Sequence, residues 1–207
     1  MRILAIGPLW RGSNAGGLFR ALSRAECLIE VLDEFYYLSL QTKTTSTKVL
    51  ERAIRPLQEK EFNIAIKKKV ELFRPDVVFV YKGAFVQPET LQFARQQNCK
   101  LVLFYPDVSM SAHGDNIPKS IPLYDLIFTT KTFGIRDLET TYRVRNAVFI
   151  PHGFDPEIHR KLHIGDDDKH RFGCDASFIG TWSPKKEAWL TVLKKRLPSI
   201  HLKIWGE

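Results

Sequence analysis

The residues best placed for chemistry stand directly after short apolar runs. Asp107 follows Lys100 to Tyr105 (KLVLFY) and opens the polar turn Pro106 to Asn116 (PDVSMSAHGDN), which also offers His113 and Asn116. A carboxylate leaving a buried strand faces the open end of a sheet, where it can act as general base toward a hydroxyl. An Asp that caps a turn or pairs with a nearby Lys satisfies the same spacing. His113 is a second candidate base. Earlier, Gly7 to Gly17 (GPLWRGSNAGG) is a long turn that carries Asn14 and ends on Gly16 and Gly17, which open a helix. Free N–H groups at such a helix start attract phosphate, and small residues admit a sugar close to the backbone. The spacing fits neither GxGxxG nor GxxxxGK[ST], and a tight turn alone needs the same glycines. Lys82 and Lys131 follow two further apolar runs and place cations at the same level. Near the end of the chain, His152 and Gly153 leave one strand and Gly180, Thr181 and Trp182 leave the next. Backbone N–H groups at the second turn suit a diphosphate, with Trp182 for stacking or for ordinary packing and Lys185 for charge.

The elements that position these turns alternate between strand and helix, the grammar of a parallel sheet flanked by helices. Arg2–Ile6, Asp76–Tyr81, Lys100–Tyr105, Asp125–Thr129 and Ala147–Ile150 read as strands, and Cys27–Leu32 and Phe35–Leu40 as β-rich segments. Helices are predicted at Leu18–Ala25, Leu57–Phe73, Pro88–Gln97 and Phe133–Tyr142. In the third of these, Pro88 suits the first turn, and Pro75 stops the second. The polar stretch Gln41–Lys48 reads as a loop. Ligands of such sheets bind beyond the carboxyl ends of the strands, where every candidate above lies.

The run IPHGFD at Ile150–Asp155 and the run DASFIGTW at Asp175–Trp182 mark one α/β domain ending and another beginning. Residues 1–158 form the first domain, 159–173 a linker, and 174–207 the start of a second, Rossmann-like domain, so the sequence reads as the front portion of a larger two-domain protein. A 44% hydrophobic content supports a real core, and no apolar run approaches the length of a bilayer-spanning helix. Met1–Leu9 lacks a small-residue cleavage site and fits a buried strand, which predicts a cytoplasmic protein. The three cysteines are widely spaced, and His159 and His163 have no metalloprotease spacing, so neither a disulfide framework nor a metal site is expected. The net charge of +8 favours an acidic partner, such as a nucleotide or an anionic membrane surface touched peripherally. Nucleic acid is disfavoured, because Phe79, Tyr81, Phe104, Tyr105 and Phe128 fall within strands and form no base-stacking platform.

Taken in order, MRILAIGPLW, RPDVVFVYKG, KLVLFYPD, YDLIFTTK, FIPHGFDPEIH, DASFIGTW and KIWGE resemble the CgeB-like (spore-maturation type) glycosyltransferases over essentially the whole chain. The resemblance implies a GT-B architecture of two Rossmann-like domains, an acceptor-side N-terminal domain, and a nucleotide-sugar donor bound by the domain that begins near Cys174. Asn116 and Ser120 sit where the family tends to carry Asn and Ser, whereas Val108 stands where a second acidic residue is expected. On this reading a sugar passes from a nucleotide-sugar, a co-substrate in place of any cofactor, to a hydroxyl acceptor on a glycan, protein or small molecule. Asp107 and His113 are the catalytic candidates. Asn14, Gly16, Gly17, Lys82, Asn116 and Lys131 line the acceptor side, and His152, Gly180, Thr181 and Trp182 the donor side. Most donor-holding groups of such folds lie beyond Glu207, so this chain alone is expected to be a poor enzyme. On this reading transfer is metal-independent, with backbone dipoles and cationic side chains stabilising the leaving diphosphate. The rival readings are a non-catalytic basic binding module and a nucleotide-sugar epimerase of the same architecture.

Overall fold

The computed structural model describes residues 1–10, 12–38 and 45–206. By its internal contacts the chain divides into two compact units, Met1–Pro156 and Glu157–Glu207.

The first unit is built on six parallel strands: β1 (Arg2–Gly7), β2 (Leu28–Asp33), β3 (Val77–Tyr81), β4 (Lys100–Tyr105), β5 (Leu126–Thr129) and β6 (Ala147–Phe149), in spatial order β2-β1-β3-β4-β5-β6. The Rossmann-like α/β fold expected from the sequence is therefore present. Ile6 of β1 stands level with Leu32 of β2 and Val80 of β3. After β2 the chain crosses back over β1, so the strand order reverses between β1 and β3 and opens a crevice at their carboxyl ends.

Alternation along the strands sends successive side chains to opposite faces. Leu4, Ile6, Val78, Val80, Leu101 and Leu103 pack with Phe62, Ile66 and Val70 of α3 (Thr45–Phe73) and with Leu91 and Ala94 of α4 (Pro88–Gln96). Ile3, Ala5, Phe79 and Tyr81 pack on the other face with Ala15 and Phe19 of α1 (Asn14–Arg24). Helices thus cover both faces, which is why the strands read as nearly continuous apolar runs.

Two predicted elements differ. Phe35–Leu40 reads as β-rich by its aromatic residues, but Glu34–Leu38 is a short helix, α2. Asp33 accounts for it: its Oδ1 accepts the Phe35 N–H at 2.9 Å, giving the turn an acceptor that strand pairing would have had to replace. Of the expected loop Gln41–Lys48, residues 41–44 lie outside the described residues, and Thr45 already opens α3. The unit also holds α5 (Asn116–Ser120), continued by a 3-10 turn at Ile121–Leu123, and α6 (Thr132–Tyr142).

The second unit holds α7 (Asp166–Phe172), β7 (Ala176–Ile179), α8 (Pro184–Arg196) and β8 (Leu202–Trp205). Strands β7 and β8 pair in parallel, with Ala176 level with Leu202, so the unit contains one β-α-β crossover. Helix α7 lies within the expected linker, with Asp166–Asp168 in its first turn and Lys169–Arg171 in its last, charges that complement the helix dipole. Ser183 caps α8, its Oγ accepting the Lys186 N–H. No helix among the described residues is long and apolar enough to cross a membrane.

Candidate functional site

At the reversal point a cleft of about 570 Å³ opens beyond the strand ends. Its walls include Pro8 and Trp10 after β1, Glu34 after β2, Arg55 on α3, Lys82 and Phe85 after β3, and His113 from the loop after β4.

Lys82 and Gly83 turn the chain sharply. Both have positive φ, +69° at Lys82 and +79° at Gly83, and the Lys82 N–H still donates to Phe104 O of the neighbouring strand at 2.8 Å. A lysine in this left-handed region costs about 1 kcal/mol of backbone strain, which the surrounding structure must hold in place. Buried Asn63 on α3 anchors the segment that follows. Its amide donates to Phe85 O at 2.8 Å and its Oδ1 accepts the Gln87 N–H at 2.9 Å, pinning the loop that follows Lys82.

The Lys82 Nζ reaches Asp107 Oδ2 at 2.9 Å, and His113 Nε2 meets the same oxygen at 2.7 Å. Burial opposes the charge on Asp107, but the hydrogen bond and ion pair with Lys82, reinforced by His113, outweigh it and hold the carboxyl below its usual range. An ionised Asp107 can only accept, so the His113 Nε2 carries the proton and Nδ1 remains as the base nitrogen. The loop that carries both is anchored by Tyr105, whose hydroxyl donates to Ser109 O at 2.5 Å, and by Thr130, whose hydroxyl donates to Pro106 O at 2.9 Å. Burial raises the Tyr105 phenol to about 12, keeping it a neutral donor.

Glu34 is a site residue that the sequence does not single out. Its carboxyl lines the cleft, its Oε2 is buried without a hydrogen-bond partner, and burial raises its pKa to about 7 against the lowering influence of Lys82 and Arg55. The chain does carry a signal: Asp33-Glu34 follows an apolar strand just as Asp107 does, and the β-like run FYYL conceals it.

The structure thus brings Lys82, Asp107 and His113 together. Asn116 stands nearby in sequence but serves the scaffold, its amide donating to Ala84 O at 3.1 Å. Lys131 precedes α6, its N–H donating to Thr129 Oγ1 at 3.3 Å. Asn14, exposed at the start of α1, hydrogen-bonds the Tyr81 side chain. Gly16 and Gly17 differ in kind. A Cβ on Gly17 would come within 3.1 Å of Asp155 Oδ2, which also pairs with Arg20, so packing explains this glycine. A Cβ on Gly16 would meet only ordinary contacts at 3.5 Å and beyond. His152 is exposed near the end of the first unit.

In the second unit a separate cleft of about 750 Å³ is lined by Phe178, Gly180, Trp182, Lys186 and Glu187, among others. Gly180 N–H donates to Trp205 O at 3.0 Å, and Thr181 O accepts from Lys186 Nζ at 2.7 Å. Trp182, largely exposed, donates its indole N–H to Glu187 Oε2 at 2.9 Å. Among the described residues, no three His, Cys, Asp or Glu side chains gather as metal ligands.

No family model matches the chain, and no curated protein is similar to it in sequence. Solved structures are similar in fold. The UDP-GlcNAc 2-epimerase of Methanocaldococcus jannaschii superposes with a TM-score of 0.64 at 12% identity, over 100% of this chain and 66% of the epimerase. The Neisseria meningitidis UDP-GlcNAc 2-epimerase bound to UDP-GlcNAc gives 0.58 at 12% identity, over 99% of this chain and 65% of its own. Arabidopsis thaliana UGT89C1 complexed with UDP-L-rhamnose gives 0.51 at 11% identity, over 98% and 64%. The chain thus spans slightly less than two thirds of each, and at these identities the likeness is one of fold.

Proposed function

We propose that the chain is part of a nucleotide-sugar enzyme, a glycosyltransferase that passes a sugar from its donor to a hydroxyl acceptor, with the first unit on the acceptor side and the second on the donor side. The observation that carries this reading is the Lys82–Asp107–His113 array at the carboxyl edge of the sheet. In it, Asp107 orients His113 and stabilises the imidazolium that forms when Nδ1 takes the acceptor's proton, while Lys82 keeps Asp107 ionised. The oxygen so freed attacks the anomeric carbon, and the nucleotide diphosphate departs with the bonding electrons. Thr181 and Trp182, exposed after β7, offer N–H groups for the donor, with Lys186 beside them. The resemblance to CgeB-like glycosyltransferases supports transfer.

A second reading, epimerisation of the nucleotide-sugar itself, is favoured by the two epimerases, which superpose on the chain better than UGT89C1 does. Both readings use a poised base, and they part at the product.

The test is incubation of the protein, as its source produces it, with UDP-GlcNAc and an acceptor library. Transfer gives free UDP and a heavier acceptor; epimerisation gives an isomeric UDP-sugar with the acceptor untouched. Asp107→Asn is expected to lower turnover at least about 100-fold with the fold retained. Unchanged turnover would remove the array from the mechanism.

A further inference from the structure

The proposed transferase leaves its acceptor unnamed. Building on that reading, we propose that the cleft beside the array takes the anionic end of the acceptor, an oxyacid group such as a carboxylate or phosphate, and admits it only when Glu34 carries a proton.

The walls decide the charge. Arg55 and Lys82 are cations lining the cleft; of the carboxylates around them, Asp107 is tied to Lys82 and His113, Asp33 accepts backbone N–H groups, Glu59 stands off the lining beside Arg55, and Glu34 alone lines the cleft. Glu34 is the group able to tip the balance. Its buried Oε2 receives no hydrogen bond, so the ionised form lacks the donors that would stabilise it there. Protonated, Glu34 leaves Arg55 and Lys82 as the charged groups of the lining itself and offers an O–H to an anionic oxygen, a charge-assisted hydrogen bond. Ionised, it repels the same oxygen and competes for Lys82.

Every element against it contributes to that balance. Asp33 at the end of β2 disfavours ionisation, and Arg55 on α3 and Lys82 after β3 favour it, Lys82 more strongly. Glu59 on α3 interacts with Arg55, and His113, paired with Asp107, lines the cleft from the loop after β4. The remaining walls are apolar and aromatic: Trp10, Phe35 and Phe85, the last beneath the Arg55 guanidinium at 5.3 Å from its ring centroid. The occupant that fits is an oxyacid attached to a ring or other apolar body.

Benzoate, phenyl phosphate and neutral benzamide serve as probes, titrated into the whole protein by calorimetry at pH 6 and pH 8. Benzoate keeps one charge over this range, so its pH dependence reports the protein. With Glu34 titrating at about 7, its affinity is expected to fall about ten-fold between the two values. Glu34→Gln abolishes the fall. Phenyl phosphate against benzoate at pH 6 tells which oxyacid is preferred. A fall that persists in Glu34→Gln, or benzoate binding no better than benzamide to the unmodified protein at pH 6, overturns the proposal, and the benzamide comparison needs no variant. UDP-GlcNAc titrated in parallel separates the two readings. Its failure to bind beside pH-linked benzoate binding removes the nucleotide-sugar assignment and keeps the anion site, and the opposite pattern does the reverse.

Discussion

The two ends of the same six-stranded sheet both carry carboxylates, and they use them differently. At the amino end, Asp76 Oδ2 accepts the Arg2 N–H at 2.7 Å, and Asp125 Oδ2 accepts the Leu101 N–H at 2.8 Å while its other oxygen meets Arg95 and Lys100. These acids hold strand starts in register, and neither needs a ligand to complete it. At the carboxyl end, Asp107 meets only side chains, and one oxygen of Glu34 meets nothing. The contrast gives a working rule: a strand-end carboxylate bonded to backbone belongs to the fold, and one left to side chains or to nobody is available for chemistry. Asp33 shows the rule is about partners and not position, because it sits at the carboxyl end yet accepts the Leu9 and Phe35 N–H groups, each at 2.9 Å.

The sharpest way to break this comparison is through stability, where the two ends should respond with opposite sign. Glu34 has a folded pKa of about 7 against 4.5 when unfolded. Its favourable contribution is therefore complete below pH 4.5 and lost as pH rises through 7, leaving the ionised side chain a burden of about 3 kcal/mol at pH 8. Glu34→Gln should raise the unfolding free energy at pH 8 by up to that amount and change little at pH 4, read by urea denaturation at both values. A loss of stability at pH 8 would place Glu34 with the structural acids. Next in size, Asp125→Ala should cost about 2 kcal/mol, because the Leu101 N–H at the start of β4 loses its acceptor. The same denaturation curves report it, and a cost near zero would void the rule at the amino end.

The smallest effect concerns the glycines of α1, where the same question of packing against ligand arises. Gly16→Ala should stabilise the protein by about 0.5 kcal/mol, since the methyl finds room and helical alanine is favoured over glycine. A stabilised variant that has lost acceptor binding would reinstate Gly16 as a point of close ligand approach.

Much of the scaffold is legible in the sequence because its signals are local. DVVFVY, KLVLFY and DLIFT are too short and too apolar to be anything but buried strands between helices, and Pro88 marks the start of α4. Asp107 and His113 are legible for the same reason, lying in one polar turn after one strand. Their junction with Lys82 is not, since it depends on β3 and β4 lying side by side with Tyr81 level with Phe104. Glu34 is lost to a propensity that tertiary contacts override: Phe35-Tyr36-Tyr37 favours strand, and a single carboxylate, Asp33, diverts it into helix. Asn116 and Gly17 show the converse, residues of the right type at the right turns whose partners, Ala84 O and Asp155, tie them to the scaffold.

The left-handed backbone at Lys82 has an evolutionary consequence. Glycine or asparagine would relax that residue, so selection for heat resistance alone should repeatedly replace it, and each such winner would lose the cation that holds Asp107. Position 82 is where a thermostable descendant of this protein and an active one part company.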